Sequence, residues 1–177
     1  MLKTTTKSCS QKERDDFYNE SRLLYAFNSS PHIVNIEDIF FFNDKFYTFM
    51  EHMDGGGMNS IVSKGQEFLS ETFIKRTIYY AAMELKALHK KSTIHRDLKS
   101  DNFLCNSRGE IKLADLGTSA FLTDTRKWRN TRCTTKLWIS PEMAQGKNYT
   151  FATDIWSFGL FIHELGFGLP PFHDLLT

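Results

Sequence analysis

A short segment near the middle of the chain places several polar groups between apolar borders. Residues 94–104 read IHRDLKSDNFL, so a carboxylate, an amine and an amide follow one another within a few positions. Polar groups beside hydrophobic walls are costly to bury unless each is paired or holds a ligand. Any fold of this chain must therefore place the segment at the edge of a core, where its polar side chains find partners.

Length and composition are those of a globular domain. Of the 177 residues, 24% are charged and 41% hydrophobic, which is enough to build a sizeable core. The net charge of +1 gives no indication of a nucleic-acid or membrane surface. No signal peptide is expected, and no uncharged run approaches the roughly 18 residues of a membrane span.

Cysteine usage favours a reducing, intracellular setting. The three cysteines have no paired spacing and form no CxxC motif. A disulfide framework or a zinc site is therefore not expected, and we expect a cytoplasmic protein.

The first part of the chain predicts an amphipathic helix. Residues 10–13 read as a capping box, after which Phe17, Leu24 and Phe27 recur at helical spacing. Glu20 falls on the same stripe. A carboxylate there is either paired with a cation or a solvated helix residue.

Two aromatic-rich runs follow, over 36–42 and 46–50, and a hairpin signal at 43–45 separates them. Three glycines come next, at 55–57, without the G-x-G-x-x-G spacing of a phosphate-binding loop. They predict a flexible connector between two packed bodies, with an ordinary hairpin exit as the alternative.

The second half begins with a long helix that Ser70 caps and that extends to about Lys91. A strand over 111–114 is predicted to end at the acid and glycine of 115–117, which by themselves are compatible with a plain turn. The apolar face of the helix consists of Ile74, Ile78, Ala81, Ala82, Leu85 and Leu88.

Four motifs occur in an order that is typical of one family. Residues 95–102 match H-R-D-x-x-x-x-N, and 115–117 resemble D-F-G. Residues 141–142 resemble the end of A-P-E, and 154–159 the start of a central helix. On these motifs the chain resembles a eukaryotic protein kinase domain of the serine/threonine type, in the sterile-twenty-like group.

The resemblance implies an α+β, two-lobed protein-kinase-like fold. A partial small β lobe with one helix would occupy 1–51, a hinge 52–57, and a mainly helical large lobe 58–177. It also implies a chain truncated at both ends, since neither a glycine-rich strand-turn-strand nor the last helices of a kinase domain are seen in the sequence.

The resemblance assigns the chemistry to four residues. Asp97 would accept or orient the proton of the substrate hydroxyl, and Lys99 would neutralise charge on the transferring phosphate. Asn102 and Asp115 would bind magnesium. His95 is expected to be a packing residue and not a base.

The nucleotide contacts are also implied by the resemblance. Glu20 would pair with Lys3 or with the competing Lys7, and the lysine would hold the α- and β-phosphates. Met50 would border the back pocket, while backbone groups of Glu51 and Met53 would meet the adenine. The full nucleotide-binding set is Lys3, Glu20, Met50, Glu51, Met53 and Leu104.

The polar and basic segment 117–136 is expected to be mobile. As an activation segment it would carry Thr131 and Thr134 as phosphorylation sites, with Arg96 facing the phosphate. The hydroxyl of Thr135 would meet Asp97 and Lys99.

Some residues depart from the family pattern. Leu116 stands where phenylalanine is usual, Thr134 where glycine is usual, Lys136 where proline is usual, and Ser140 where alanine is usual. Asp154 keeps the pattern and would hold the backbone of the catalytic loop.

The sequence thus predicts a serine/threonine protein kinase that transfers the ATP γ-phosphate to a protein hydroxyl with Mg²⁺. The alternative is a catalytically impaired pseudokinase or scaffold fragment that acts by binding. We expect a protein substrate and no nucleic acid.

Overall fold

The computed structural model describes residues 2–4, 11–43, 45–64, 69–131, 135–171 and 173. Lys7, Ser10 and Thr134 lie outside these ranges, as does the side chain of Lys3. In chain order the elements are β1 (Leu2–Thr4), α1 (Gln11–Phe27), β2 (Ile36–Phe42), β3 (Lys45–Met50), β4 (Gly56–Gly57), α2 (Met58–Lys64), α3 (Glu71–Lys90), β5 (Thr93–Ile94), β6 (Phe103–Cys105), β7 (Ile111–Leu113), β8 (Ala120–Phe121), α4 (Pro141–Ala144) and α5 (Ala152–Phe167).

The amino-terminal elements form a small antiparallel sheet with one helix. The strand order is β1-β3-β2, and Lys3 in β1 lies opposite Thr48 in β3. Asn43, in the turn between β2 and β3, has a left-handed φ of 48°, as tight hairpin turns require. Helix α1 packs on this sheet through Phe17, whose ring stacks on Phe46 with centroids 4.0 Å apart.

The larger body is built around α3, α5 and β7. Ser70 caps α3 as predicted, because its hydroxyl accepts the N–H of Phe73 at 3.2 Å. Phe103 and Phe161 stack with ring centroids 4.4 Å apart and fill the centre of this body. Together the two bodies give the two-lobed α+β architecture implied by the sequence.

Backbone hydrogen bonds join the two bodies near β7. The N–H of Val34 donates to the carbonyl of Leu113 at 2.9 Å, and the N–H of Leu113 donates to the carbonyl of His32 at the same distance. The segment between α1 and β2 therefore continues the ladder of β7, and the predicted site lies beside this junction.

Two of the three glycines that the sequence predicts as a connector, Gly56 and Gly57, are paired in a short strand. Both belong to β4, which pairs with β6 and places Gly56 opposite Cys105. A Cβ on Gly55 would lie 2.7 Å from Cys105 Sγ and 3.0 Å from its carbonyl oxygen. Close packing against β6, and not flexibility, explains the glycine at position 55.

No helix within the described ranges is both long and apolar enough to cross a membrane.

Removing the centre of the larger body should destabilise the protein strongly. The Phe161 side chain is fully buried, so Phe161→Ala is expected to lower the free energy of unfolding by about 3–5 kcal/mol in urea denaturation. Phe167, on the same helix, is 68% exposed, so Phe167→Ala should change it by less than about 0.5 kcal/mol. Similar losses for both variants would contradict this packing.

Candidate active site

A buried carboxylate on α5 fixes the turn that carries the predicted site. Asp154 is fully buried, and its two oxygens accept the N–H groups of His95 and Arg96, each at 2.8 Å. His89 Nε2 lies 2.8 Å from the same carboxylate. Arg96 has a left-handed φ of 74°, which is unfavourable for a residue with a Cβ and needs such support.

Asp97, next in the turn, faces a hydroxyl and an ammonium group. Its Oδ1 accepts the backbone N–H and the hydroxyl of Thr135, each at 3.0 Å. Lys99 Nζ donates to that same hydroxyl at 2.8 Å and lies 3.6 Å from Asp97 Oδ2. The structure therefore brings Asp97, Lys99 and Thr135 together, although Thr135 lies far along the chain.

Asn102 and Asp115 lie beside this group. The side-chain amide nitrogen of Asn102 donates to the carbonyl of Asp97 at 2.7 Å, which leaves its Oδ1 as the acceptor end of the amide. The carbonyl of Asn102 accepts the N–H of Ala114 at 2.8 Å, so the end of β7 is held against the loop. Asp115 follows directly and has a left-handed φ of 58°.

Glu20 of α1 reaches the same place from the amino-terminal body. A Cβ built on Gly117 would lie 3.0 Å from Asp115 Oδ1 and 3.4 Å from Glu20 Oε2. The predicted helix glutamate and the predicted metal carboxylate therefore border one glycine. A larger residue at position 117 would have to displace one of them.

His95 lies among these carboxylates as a neutral ring. Burial holds the pKa of His95 below its ordinary value, although the carboxylates of Asp154, Asp97 and Asp115 oppose this effect. Its Nδ1 accepts the N–H of Asp97 at 3.3 Å, and its Nε2 has no partner among the residues that the structure describes. A neutral, enclosed imidazole fits a packing role.

A small apolar cluster lies next to the carboxylates. Met50, Met53, Val34 and Ala114 are buried together, and Leu104 packs against them. Three of the predicted nucleotide-binding residues, Met50, Met53 and Leu104, therefore pack around Ala114. Asp115 is the next residue in the chain.

The backbone of this cluster offers one acceptor and one donor. The N–H of Glu51 is used by the carbonyl of Asn35 at 3.0 Å, and the carbonyl of Met53 accepts from Gly56 at 3.1 Å. In the described part of the chain, the carbonyl of Glu51 and the N–H of Met53 have no such bond. These two groups suit the edge of a planar heterocycle.

An ion pair that the sequence did not indicate fixes the side chain of Glu51. Lys112 Nζ lies 2.7 Å from both carboxylate oxygens of Glu51, one of which also accepts the N–H of Asn35 at 2.7 Å. Lys112 is buried, whereas Glu51 is partly exposed, so loss of the carboxylate would leave a buried ammonium group without its partner. The pair ties the segment after β3 to the strand that leads to Asp115.

Specific contacts hold the described part of the predicted activation segment. Strand β8 pairs with β5, and Arg129 forms an antiparallel bridge with Tyr149. Thr131 Oγ1 accepts a hydrogen bond from Arg96 Nη1 at 3.0 Å. Thr134, the other predicted phosphorylation site, lies outside the described residues.

Four arginines surround a cavity of about 390 Å³ beside this segment: Arg22, Arg96, Arg126 and Arg129. Burial and the nearby charges of Arg126 and Arg96 lower the pKa of the Arg129 guanidinium. Its Nε has no hydrogen-bond partner among the described residues. The cavity is therefore suited to an anion.

A second buried carboxylate connects the loop to the segment after Thr135. Glu164 of α5 accepts hydrogen bonds from the hydroxyl of Ser100 at 2.5 Å and from Trp138 Nε1 at 3.3 Å. Burial raises the pKa of Glu164 above its ordinary value. Nearby, Ser140 caps α4, and its hydroxyl lies 2.7 Å from that of Thr153, which gives a physical reason for serine at this position.

Glu84 is a buried acid on α3 that the sequence analysis did not predict. It lies between Ala81 and Leu88 on the apolar face, and that position was the available signal. Its Oε2 accepts the N–H of Leu113 at 3.1 Å, while Oε1 has no partner among the described residues. Burial raises the pKa of Glu84 to about 9, so the carboxyl is neutral at pH 7.

This acid should make stability fall as the pH rises. The folded state keeps a proton on Glu84 that the unfolded chain releases. The free energy of unfolding therefore falls as the pH rises from 4.5, the ordinary pKa, to about 9, the pKa in the folded state. In denaturant titrations from pH 7 to 9, the wild type should lose up to about 1.4 kcal/mol per pH unit more than Glu84→Gln. Glu71→Gln, at an exposed position of the same helix, should keep the wild-type slope. Parallel profiles for wild type and Glu84→Gln would contradict the raised pKa.

Known proteins are similar in sequence to most of this chain. Serine/threonine-protein kinase pakA of Dictyostelium discoideum is 38% identical over 146 residues, which are 82% of this chain and 12% of that protein. Serine/threonine-protein kinase CLA4 of Candida albicans is 37% identical over 151 residues, which are 85% of this chain and 16% of that protein. The chain thus spans a small part of the length of these relatives.

The family model of the protein kinase domain matches residues 1–176. This match includes the loop at Asp97, the end of β7 at Asp115 and the helix that carries Asp154. The chain belongs to the protein kinase family.

Proposed function

We propose that this chain transfers the γ-phosphate of ATP to a serine or threonine hydroxyl of a protein. The observation that carries the proposal is the hydroxyl of Thr135, which lies 3.0 Å from Asp97 Oδ1 and 2.8 Å from Lys99 Nζ. An aliphatic hydroxyl is thus accommodated between a carboxylate and an ammonium group, as the transfer requires.

In the reaction, Asp97 orients the acceptor hydroxyl and takes its proton as the new O–P bond forms. Lys99 faces the phosphoryl group and offsets its charge while the bond to ADP breaks. Arg96 and Asp154 do not touch the reacting atoms but keep the turn in place. The charges of Asp97 and Lys99 therefore already lie on either side of the position where the acceptor hydroxyl would bind.

Asn102 and Asp115 are the residues that would hold magnesium. A carboxylate and an amide oxygen fit Mg²⁺, which prefers few protein oxygen donors and completes its shell with phosphates and water. The orientation of Asn102, with its amide nitrogen on the carbonyl of Asp97, supports this assignment. When bound, the ion offsets charge on the phosphates.

The adenine would lie in the cluster of Met50, Met53 and Leu104, against the carbonyl of Glu51 and the N–H of Met53. Lys3, with Lys7 as the alternative, would hold the phosphates. The position of Glu20 beside Gly117 supports a role for the glutamate at the phosphate end of this site.

We further propose the lobe boundaries 1–51, 52–57 and 58–177, and an intracellular setting in line with the cysteine usage. The scaffold alternative would be favoured by loss of a reacting or metal-binding group. Asp97, Asn102 and Asp115 are all present, so no observation favours it.

The proposed base is tested by exchanging one oxygen for nitrogen. With labelled ATP, Mg²⁺ and a generic basic protein, Asp97→Asn should lower the transfer rate by about 10²–10⁴-fold, the usual contribution of acid–base catalysis. The matched control is Asp101→Asn, an exposed carboxylate in the same loop, which should stay within about threefold of wild type. Equal transfer by wild type and Asp97→Asn, or none by wild type above background, would overturn the proposal for this chain.

We also propose that Thr131 is phosphorylated. Its hydroxyl already contacts Arg96, and the arginine-lined cavity lies alongside. A phosphate there would form charge-assisted hydrogen bonds. Intact-mass and peptide mass spectrometry of active protein should find a phosphate on Thr131 that Thr131→Ala lacks. Active protein with an unmodified Thr131 would refute it.

A further inference from the structure

Tyr149, in the loop between α4 and α5, combines a buried ring with a hydroxyl at the edge of the core. The residue is 2% exposed, and its ring packs in a cluster with Ile94, Leu122 and Met143. The hydroxyl points away from this cluster towards the activation segment, where it donates to the carbonyl of Thr131 at 2.6 Å. No expectation from the sequence gave this tyrosine a role.

The hydroxyl groups of Tyr149 and Thr131 form a closed network with Arg96. Because the single proton of the tyrosine goes to the carbonyl of Thr131, the threonine hydroxyl is the donor in the 3.3 Å contact between the two hydroxyls. The threonine oxygen then accepts from Arg96 Nη1 at 3.0 Å, and the same Nη1 lies 3.4 Å from the tyrosine oxygen. The whole network forms without a phosphate on Thr131.

The backbone of Tyr149 adds a second attachment. Its N–H donates to the carbonyl of Arg129 at 2.8 Å, and its carbonyl accepts the N–H of Arg129 at 3.0 Å. The segment is thus fastened on both sides of Asn130, once through the backbone and once through the tyrosine hydroxyl.

Arg96 is held in position without help from Thr131. Its Nε donates to the carbonyl of Thr118 at 2.5 Å, and its backbone N–H is bound by Asp154. A guanidinium that is already oriented gains little further order from a phosphate.

We propose that Tyr149 is a positioning residue that holds Thr131 against Arg96, so that the activation segment is ordered before any phosphate is added. A phosphate on Thr131 then reinforces an existing arrangement instead of creating one. The phospho arm of this inference rests on the proposed modification of Thr131, whereas the unmodified arm does not.

The test measures how fast trypsin cleaves the exposed bonds after Arg126 and Lys127, since cleavage reports how often the segment opens. Wild type and Tyr149→Phe are each prepared with an unmodified Thr131 and with phosphothreonine incorporated at that position. Tyr149→Phe keeps the ring in the core and removes only the hydroxyl. Tyr79→Phe, whose ring is 61% exposed on α3, is the matched control.

Without phosphate, Tyr149→Phe should be cleaved about fivefold to tenfold faster than wild type, as expected for the loss of one partly buried hydrogen bond. Phosphothreonine should return the variant to within about twofold of wild type, but slow cleavage of the wild type by less than about threefold. Tyr79→Phe should match wild type in both forms.

Two outcomes would overturn the inference: an unchanged cleavage rate in Tyr149→Phe, or an equal increase with and without phosphate, which would show a general structural effect. Hydrogen exchange on the same samples detects global loss of structure, because the amide of Arg129 should exchange faster in the variant while that of Leu113 stays protected. No phosphoryl transfer is measured, so a failure of the proposed function would leave these results unaffected.

Discussion

The site depends on one buried carboxylate that holds a strained turn. Asp154 accepts hydrogen bonds from two backbone N–H groups and contacts His89. These charge-assisted contacts offset the free-energy cost of burying its carboxylate. Those bonds keep Arg96 in a left-handed conformation, which sends its side chain to the activation segment and the next side chain, Asp97, into the cleft. One interaction on α5 thus sets the direction of two side chains with different tasks.

Strand β7 plays a comparable part at the proposed nucleotide site. Its backbone forms hydrogen bonds with His32 and Val34, and its Lys112 pairs with Glu51. The N–H of its last residue, Leu113, also donates to the buried acid Glu84. A strand of three residues is thereby fixed from several sides before it delivers Asp115. The proposed metal-binding and adenine-binding regions therefore rest on the same strand, and a displacement of either body would reach both.

The sequence predicted what depends on local pattern and spacing. The cap at Ser70, the hairpin at Asn43 and the buried stripe of α1 follow from propensity and periodicity, and all agree with the structure. The features that the sequence did not indicate depend on contacts between distant residues. Nothing near Gly55 in the chain indicates that Cys105 packs against it. Nothing in the basic, polar activation segment indicates that Tyr149, in the loop between α4 and α5, binds it. Nothing near Lys112 in the chain indicates its ion pair with Glu51 either.

The tight packing at Gly55 has a consequence for altering this protein. Strand β6 begins directly after Asn102, so any side chain at position 55 would have to push aside Cys105 on that strand and with it the loop that ends at Asn102. Position 55, which follows the proposed adenine site in the chain, is therefore closed to variation. Altered selectivity at the proposed adenine site would have to come from the larger side chains of its apolar cluster, such as Met50.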